Sequence, residues 1–329
     1  MKSIRRGLTN SLPNKSHPWR GYLYIASATF LWGIAATLGR AAFTGRLFPS
    51  KWALDAIDPL ILSQSRVSFS FLVLGPLLLA QRGRALRVPP RDFGRICLLG
   101  VLGVAASNYF YYVAIQKTNV ATAIILQYTA PVLVLVYMVT RGLQKATVPR
   151  VSAALLAVLG CALVIGIVGS GGFRLHPTGV IAGLFAAFSF AFYNVGGHSL
   201  LARYDRWTVL LYTTFSAGVF WLGVNPPWKI LAAHYSAFTW VFLLMFSLVS
   251  VLGPFSFYFA GLQHLEPTRA IVASCLEPVF SIVIAAMALG ELLRPLQTLG
   301  IVLVLAAIVL VQLPELRAGE EVAVVEPIE

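Results

Sequence analysis

The sequence predicts an all-α integral membrane protein with ten transmembrane helices arranged as two inverted five-helix repeats. Three observations carry this. Of 329 residues, 58% are hydrophobic and 11% charged, and the mean hydropathy is +0.80. A soluble domain carries about 25% charged residues, and these apolar residues fall in blocks of about 20, the length that crosses a ~30 Å hydrocarbon core. A long stretch occurs twice, as Asn108–Val136 and Phe255–Val283. Without a gap the copies match at Phe110/Phe257, Tyr111/Tyr258, Gln116/Gln263, Ala123/Ala270, Ile124/Ile271, Pro131/Pro278, Val132/Val279 and Val136/Val283. Finally, Lys and Arg alternate between heavy and light loops along the chain.

In order, residues 1–20 form a basic tail carrying Lys2, Arg5, Arg6, Lys15 and Arg20. The spans are then about Gly21–Phe43, Pro59–Ala80, Ile96–Gln116, Val120–Thr140 and Val151–Val168. Each is an apolar block bounded by charged or turn-forming residues. The glycine-rich stretch Gly169–Pro177 marks the join between halves, so the first repeat is 21–172 and the second 173–313. The second set is about Thr178–Leu201, Trp207–Val224, Phe238–Gln263, Pro267–Leu289 and Leu296–Leu313, followed by an acidic tail at 314–329. Gly21, Ala28, Phe30 and Gly39 also pair with Gly179, Ala186, Phe188 and Gly197, which extends the repeat to the first span of each half.

With the N-terminus inside and ten alternating spans, seventeen Lys or Arg fall on the cytoplasmic side and six outside, Arg40 and Arg66 lying within spans. The positive-inside rule then puts both termini in the cytoplasm. Five spans is an odd number, so the second repeat enters with opposite orientation. Inverted repeats are characteristic of secondary carriers that bind substrate near the midplane between halves.

Composition also excludes. The net charge of +13 flanks the spans, where it orients helices, and does not indicate nucleic acid. Cys97, Cys161 and Cys275 lie inside apolar spans with no CxxC pair, which argues against a disulfide framework or a zinc site. No cofactor is expected. There is no phosphate-loop lysine-serine ending and no HExxH motif, and the five histidines are scattered in loops or at span ends.

Glu277 is the only Asp or Glu inside a span. It lies ten residues past Pro267, about 15 Å along a helix and so near the midplane. An ionisable group at that depth is costly and points to function: binding a substrate ammonium, or taking and releasing a proton. The competing reading is a protonated or paired structural glutamate. Pro131 and Pro278 occupy equivalent positions and free the carbonyls of Gln127 and Ser274. Those helix breaks line a cavity or merely kink the helices. Asn108 and Tyr112 share one face of span 3, Tyr258 sits in span 8, and Trp32, Tyr193 and Asn194 fall in spans 1 and 6. Aromatics and amides suit a pocket for a small amphipathic solute, though Tyr and Trp also serve as packing or interface residues. Arg66, seven residues into span 2, is expected to snorkel or pair with Asp58 or a backbone carbonyl. A contact with a substrate carboxylate is the lesser reading. Arg269 is expected to read orientation.

Two five-span repeats, the Leu31-Trp32-Gly33 triplet in span 1, a proline in spans 4 and 9 and Glu291 after span 9 together resemble the EamA domain of the drug/metabolite transporter superfamily. The resemblance runs from about Tyr22 to Leu313. It implies a multi-pass inner-membrane carrier, often an exporter of amino acids or other small metabolites, with a cavity lined by spans 1, 3, 4, 6, 8 and 9. One departure is that Glu291 has Gln144 as its counterpart in the first half. The expected partners are a small-molecule solute, the lipid bilayer and, through Glu277, protons; oligomeric state stays open. An intramembrane enzyme and a non-transporting receptor or scaffold are the alternatives. An enzyme would need converging catalytic groups that the chain lacks.

Overall fold

The computed structural model describes residues 18–44, 57–83, 86–118, 120–166, 176–289 and 294–313. Glu291, most of the glycine-rich join and nearly all of both tails lie outside the described residues. Among those described, every regular element is helical: α1 (Pro18–Thr44), α2 (Pro59–Arg82), α3 (Pro90–Leu98), α4 (Ala106–Lys117), α5 (Val120–Gln127), α6 (Ala130–Thr140), α7 (Val148–Val164), α8 (Pro177–Leu201), α9 (Arg206–Val224), α10 (Pro227–Ala232), α11 (Ala237–Ser247), α12 (Gly253–Leu262), α13 (Pro267–Ser274), α14 (Leu276–Leu289) and α15 (Pro295–Leu310). Two π-helical segments, Leu99–Ala105 and Leu248–Leu252, join α3 to α4 and α11 to α12.

The starts follow local chemistry. Proline occupies the first turn of α2, α3, α8, α10, α13 and α15, where its missing N–H costs nothing. Asp58 accepts from the Leu60 amide at 2.7 Å, Asp205 caps α9 through the Trp207 amide and Ser236 caps α11 through Thr239. Among the described residues, seven continuous helical stretches are long and apolar enough to cross a membrane, and α7 and α15 are shorter apolar helices. Large apolar side chains stand exposed on the outer faces, among them Leu72, Leu155, Phe188 and Val302. In water such a surface would be a liability; against lipid it is the expected one.

Loop contacts sort the chain into two ends. At one, Gln144 bonds Glu266, the Tyr204 hydroxyl donates to Asp92, and Gly21 lies against Leu265. At the other, the Asp58 amide donates to the Tyr235 hydroxyl, Gly179 abuts Lys117 and Thr118, and Gln297 donates to the Val164 carbonyl. Between them, α1 packs on α12, α13 and α14, while α8 packs on α4, α5 and α6. Helix α1 is thus embraced by elements from late in the chain, and α8 by elements that precede it. Helices α7 and α15 meet backbone to backbone: a Cβ on Gly300 would lie 2.6 Å from the Val164 nitrogen and 2.7 Å from the Gly160 carbonyl.

The largest core cluster centres on Tyr193, Tyr258, Phe259, Leu262 and Trp221. Arg269 is 4% exposed, so it is built into the packed Glu266 end and is not a surface charge.

Candidate functional site

Two helices stop and restart at mid-depth. Between α5 and α6 the chain turns at Tyr128–Thr129, and between α13 and α14 it turns at Cys275. Each turn comes just before a proline, Pro131 or Pro278. Proline has no N–H to give and its ring displaces the carbonyl four residues back, here of Gln127 and Ser274. The two turns face one another. The Tyr128 side chain at the first lies beside Glu277 at the second. The Cys161 thiol of α7 reaches the Cys275 carbonyl at 3.8 Å.

Glu277 is surrounded by protein yet keeps part of its own surface open. It is therefore not fully sealed in close-packed core. Facing it electrostatically is Arg66 of α2, which also lies close to Tyr112 and Tyr111 of α4. This corrects the sequence expectation for Arg66. Asp58 is occupied in capping Leu60 and Ile61, and Arg66 turns inward, its Nε buried without a hydrogen-bond partner. Arg66 and Glu277 make no ion pair within 4.0 Å. Arg66 lies eight residues beyond Asp58 and Glu277 eleven beyond Glu266, so both sit about 12–16 Å from an end.

The remaining candidates divide. Asn108, Tyr112 and Gln127 are half-buried, Tyr112 near Arg66. The Asn108 amide donates to the Val104 carbonyl at 2.8 Å, and Gln127 donates to Ser107 at 3.3 Å. Trp32, Tyr193, Asn194, Tyr258 and Ser274 are buried. Asn194 donates to the Tyr258 hydroxyl, and the Tyr193 ring stacks on Phe259 at 5.3 Å and Tyr258 at 6.1 Å. The Ser274 hydroxyl returns to its own helix at Ile271, 2.7 Å. These five belong to the packed interior.

Three features were missed or misassigned by sequence reasoning. Tyr128 carries no signal beyond its place before Pro131. Arg66 carries one, its depth within a span. The π segments are the third, and they hold equivalent positions: the offset of 147 residues that relates Asn108 to Phe255 carries Val101–Ala105 onto Leu248–Leu252. In the second, Pro254 leaves the Ser250 carbonyl without its helical donor, and the Trp32 indole donates to that oxygen at 3.2 Å. π segments mark functional sites disproportionately. Among the described residues, no group of three or more His, Cys, Asp or Glu is placed to hold a metal ion.

Comparison with known proteins gives a consistent picture. The model of the EamA-like transporter family matches residues 19–166 and again 177–313. The uncharacterized inner membrane transporter YicL of Salmonella typhimurium is 24% identical over 301 residues, 91% of this chain and 97% of its own. The threonine/homoserine exporter RhtA of Escherichia coli K12 is 25% identical over 291 residues, 87% of this chain and 90% of its own. A solved crystal structure aligns with a TM-score of 0.72 at 17% identity, over 91% of this chain and 99% of that one, a likeness of fold.

Proposed function

Because the chain belongs to the EamA-like transporter family, we infer that it exports a small organic metabolite, an amino acid or related solute, across the inner membrane by alternating access. The carrying observation is Glu277. Among the described residues it is the one acidic side chain away from the ends of the spans, it stands at a helix interruption, and it is only partly enclosed. Carboxylates kept at that depth mark substrate or ion pathways.

The architecture in this reading is two inverted five-helix repeats with the site between them. Support comes from two separate family matches, the reciprocal packing of α1 and α8, and the loop contacts of the described residues. Both termini lie in the cytoplasm, supported by the Lys and Arg bias. Alternating access then opens the site to one side at a time, and Glu277 couples the cycle to protons. RhtA, named for threonine and homoserine, favours amino acids as the solute class.

Counterflow in sealed proteoliposomes tests this reading. Vesicles preloaded with unlabelled threonine, homoserine or a wider amino-acid set should accumulate the labelled form transiently. Absence of exchange across the whole set, or conversion of a solute to product, would reject a carrier of this class.

A further inference from the structure

We propose that Arg66 is the carboxylate-binding residue of this site, so that Arg66 and Glu277 together select zwitterionic α-amino acids over organic cations. The proposal rests on the transporter reading above and extends it to recognition.

Three observations carry it. Arg66 and Glu277 are opposite charges on different helices, α2 and α14, near enough to feel one another's field yet without an ion pair. The Arg66 Nε is buried and donates to nothing. An orphaned donor on a buried guanidinium is expensive and is retained where a ligand completes it. Lastly, the groups nearby are phenols: Tyr111 and Tyr112 near Arg66, and Tyr128 near Glu277. They supply polar tips and ring faces but no competing anion.

An α-amino acid carries its carboxylate and ammonium a few bond lengths apart. Bound between the two charges, its carboxylate would meet the planar donor fork of Arg66, a geometry suited to two parallel hydrogen bonds. Its ammonium meets Glu277. Each buried charge is then neutralised by the solute and the pair need not collapse onto itself. A cation such as an amino-acid ester would satisfy Glu277 and leave Arg66 facing a neutral group. A solute lacking the ammonium would do the reverse.

The test is direct binding to purified protein in nanodiscs. The probes are threonine, homoserine, leucine and phenylalanine, each with its methyl ester and its N-acetyl derivative. Wild-type protein should bind at least one parent amino acid about tenfold or more tightly than either derivative. Arg66→Gln should weaken the parent about 10- to 100-fold and leave the ester within about threefold, with Arg66→Lys intermediate. Glu277→Gln should weaken parent and ester but spare the N-acetyl form. The proposal is overturned if Arg66→Gln binds the parent like wild type, if parent and ester fall together, or if wild type binds no amino acid of the set. Counterflow separates the two readings. Arg66-dependent binding without exchange removes the transport reading alone. Exchange that is indifferent to Arg66→Gln removes only the recognition role.

Discussion

The Gln144 amide donates to a Glu266 carboxylate oxygen at 2.6 Å, although 122 positions separate them in the chain. Thr268 donates to the other side of the same amide at 2.7 Å, and Arg150 stands 3.7 Å from Glu266. The amide is satisfied at both ends, and the connection after α6 is tied to the start of α13. Gln144→Ala breaks both bonds and leaves Thr268 and Glu266 short of partners in a buried setting. The expected cost is about 1–3 kcal/mol, read as a lower Tm in nanodiscs.

Gln144→Glu is the sharper variant, because it copies the acid found at the equivalent position 291. It sets a second carboxylate against Glu266, and repulsion lifts one of the pair above its ordinary range. With the folded pKa raised, the penalty is absent at low pH and grows as pH rises through the folded value. A Tm difference from wild type that widens from pH 4 to pH 8 is the expected result; a constant difference would refute it.

Gly300→Ala should separate α7 from α15. Its new Cβ would meet backbone atoms of Val164 and Gly160 at 2.6 and 2.7 Å, and backbone cannot swing aside as a side chain can. A loss of about 1–3 kcal/mol or more is expected. Gly94, with nothing within 4 Å, is the control: Gly94→Ala should leave Tm essentially unchanged.

Glu277→Gln keeps the shape and a hydrogen-bonding group for Tyr128 but removes the charge. Transport should fall by at least about tenfold and lose its pH dependence, while Tm holds or rises, since a carboxylate at depth is costly to keep. Initial rates between pH 5.5 and 8.5 check this. An unaltered pH profile would remove both the binding and the proton role.

Cysteines introduced at the exposed positions Lys117 and Lys229 should react with an impermeant maleimide from outside intact cells. One at exposed Arg203 should react only after permeabilisation. Cys97 is replaced first, because Cys161 and Cys275 are buried and silent. The opposite pattern would reverse the orientation.

Much of this was legible in the sequence because its signals are categorical. Hydrophobic blocks reveal spans, and Pro131 and Pro278 sit where the helices stop and restart. Glu277 stands out because no other acid shares its setting. Arg66 was less legible because Asp58 offered an apparent partner, and only the structure shows that carboxylate engaged by the α2 amides. The aromatics could not be sorted by type: Tyr112 is half-buried beside Arg66 and Tyr258 is sealed in the core, yet composition treats them alike. The segment Leu99–Ala105 has no local marker either. Gly100 and Gly103 explain the close approach to α9 and to Tyr193, not the change of helix type.

The two widened segments, Leu99–Ala105 and Leu248–Leu252, give their long helices a mechanical property that straight ones lack. A π turn stores a surplus residue, and expelling it to regain α geometry swivels everything beyond by about 100° and lengthens the rod by about 1.5 Å. Asn108 and Tyr112 lie just past one such swivel, Tyr258 just past the other. A single backbone click in either rod would exchange which of their side chains look into the interior, with no helix unravelled.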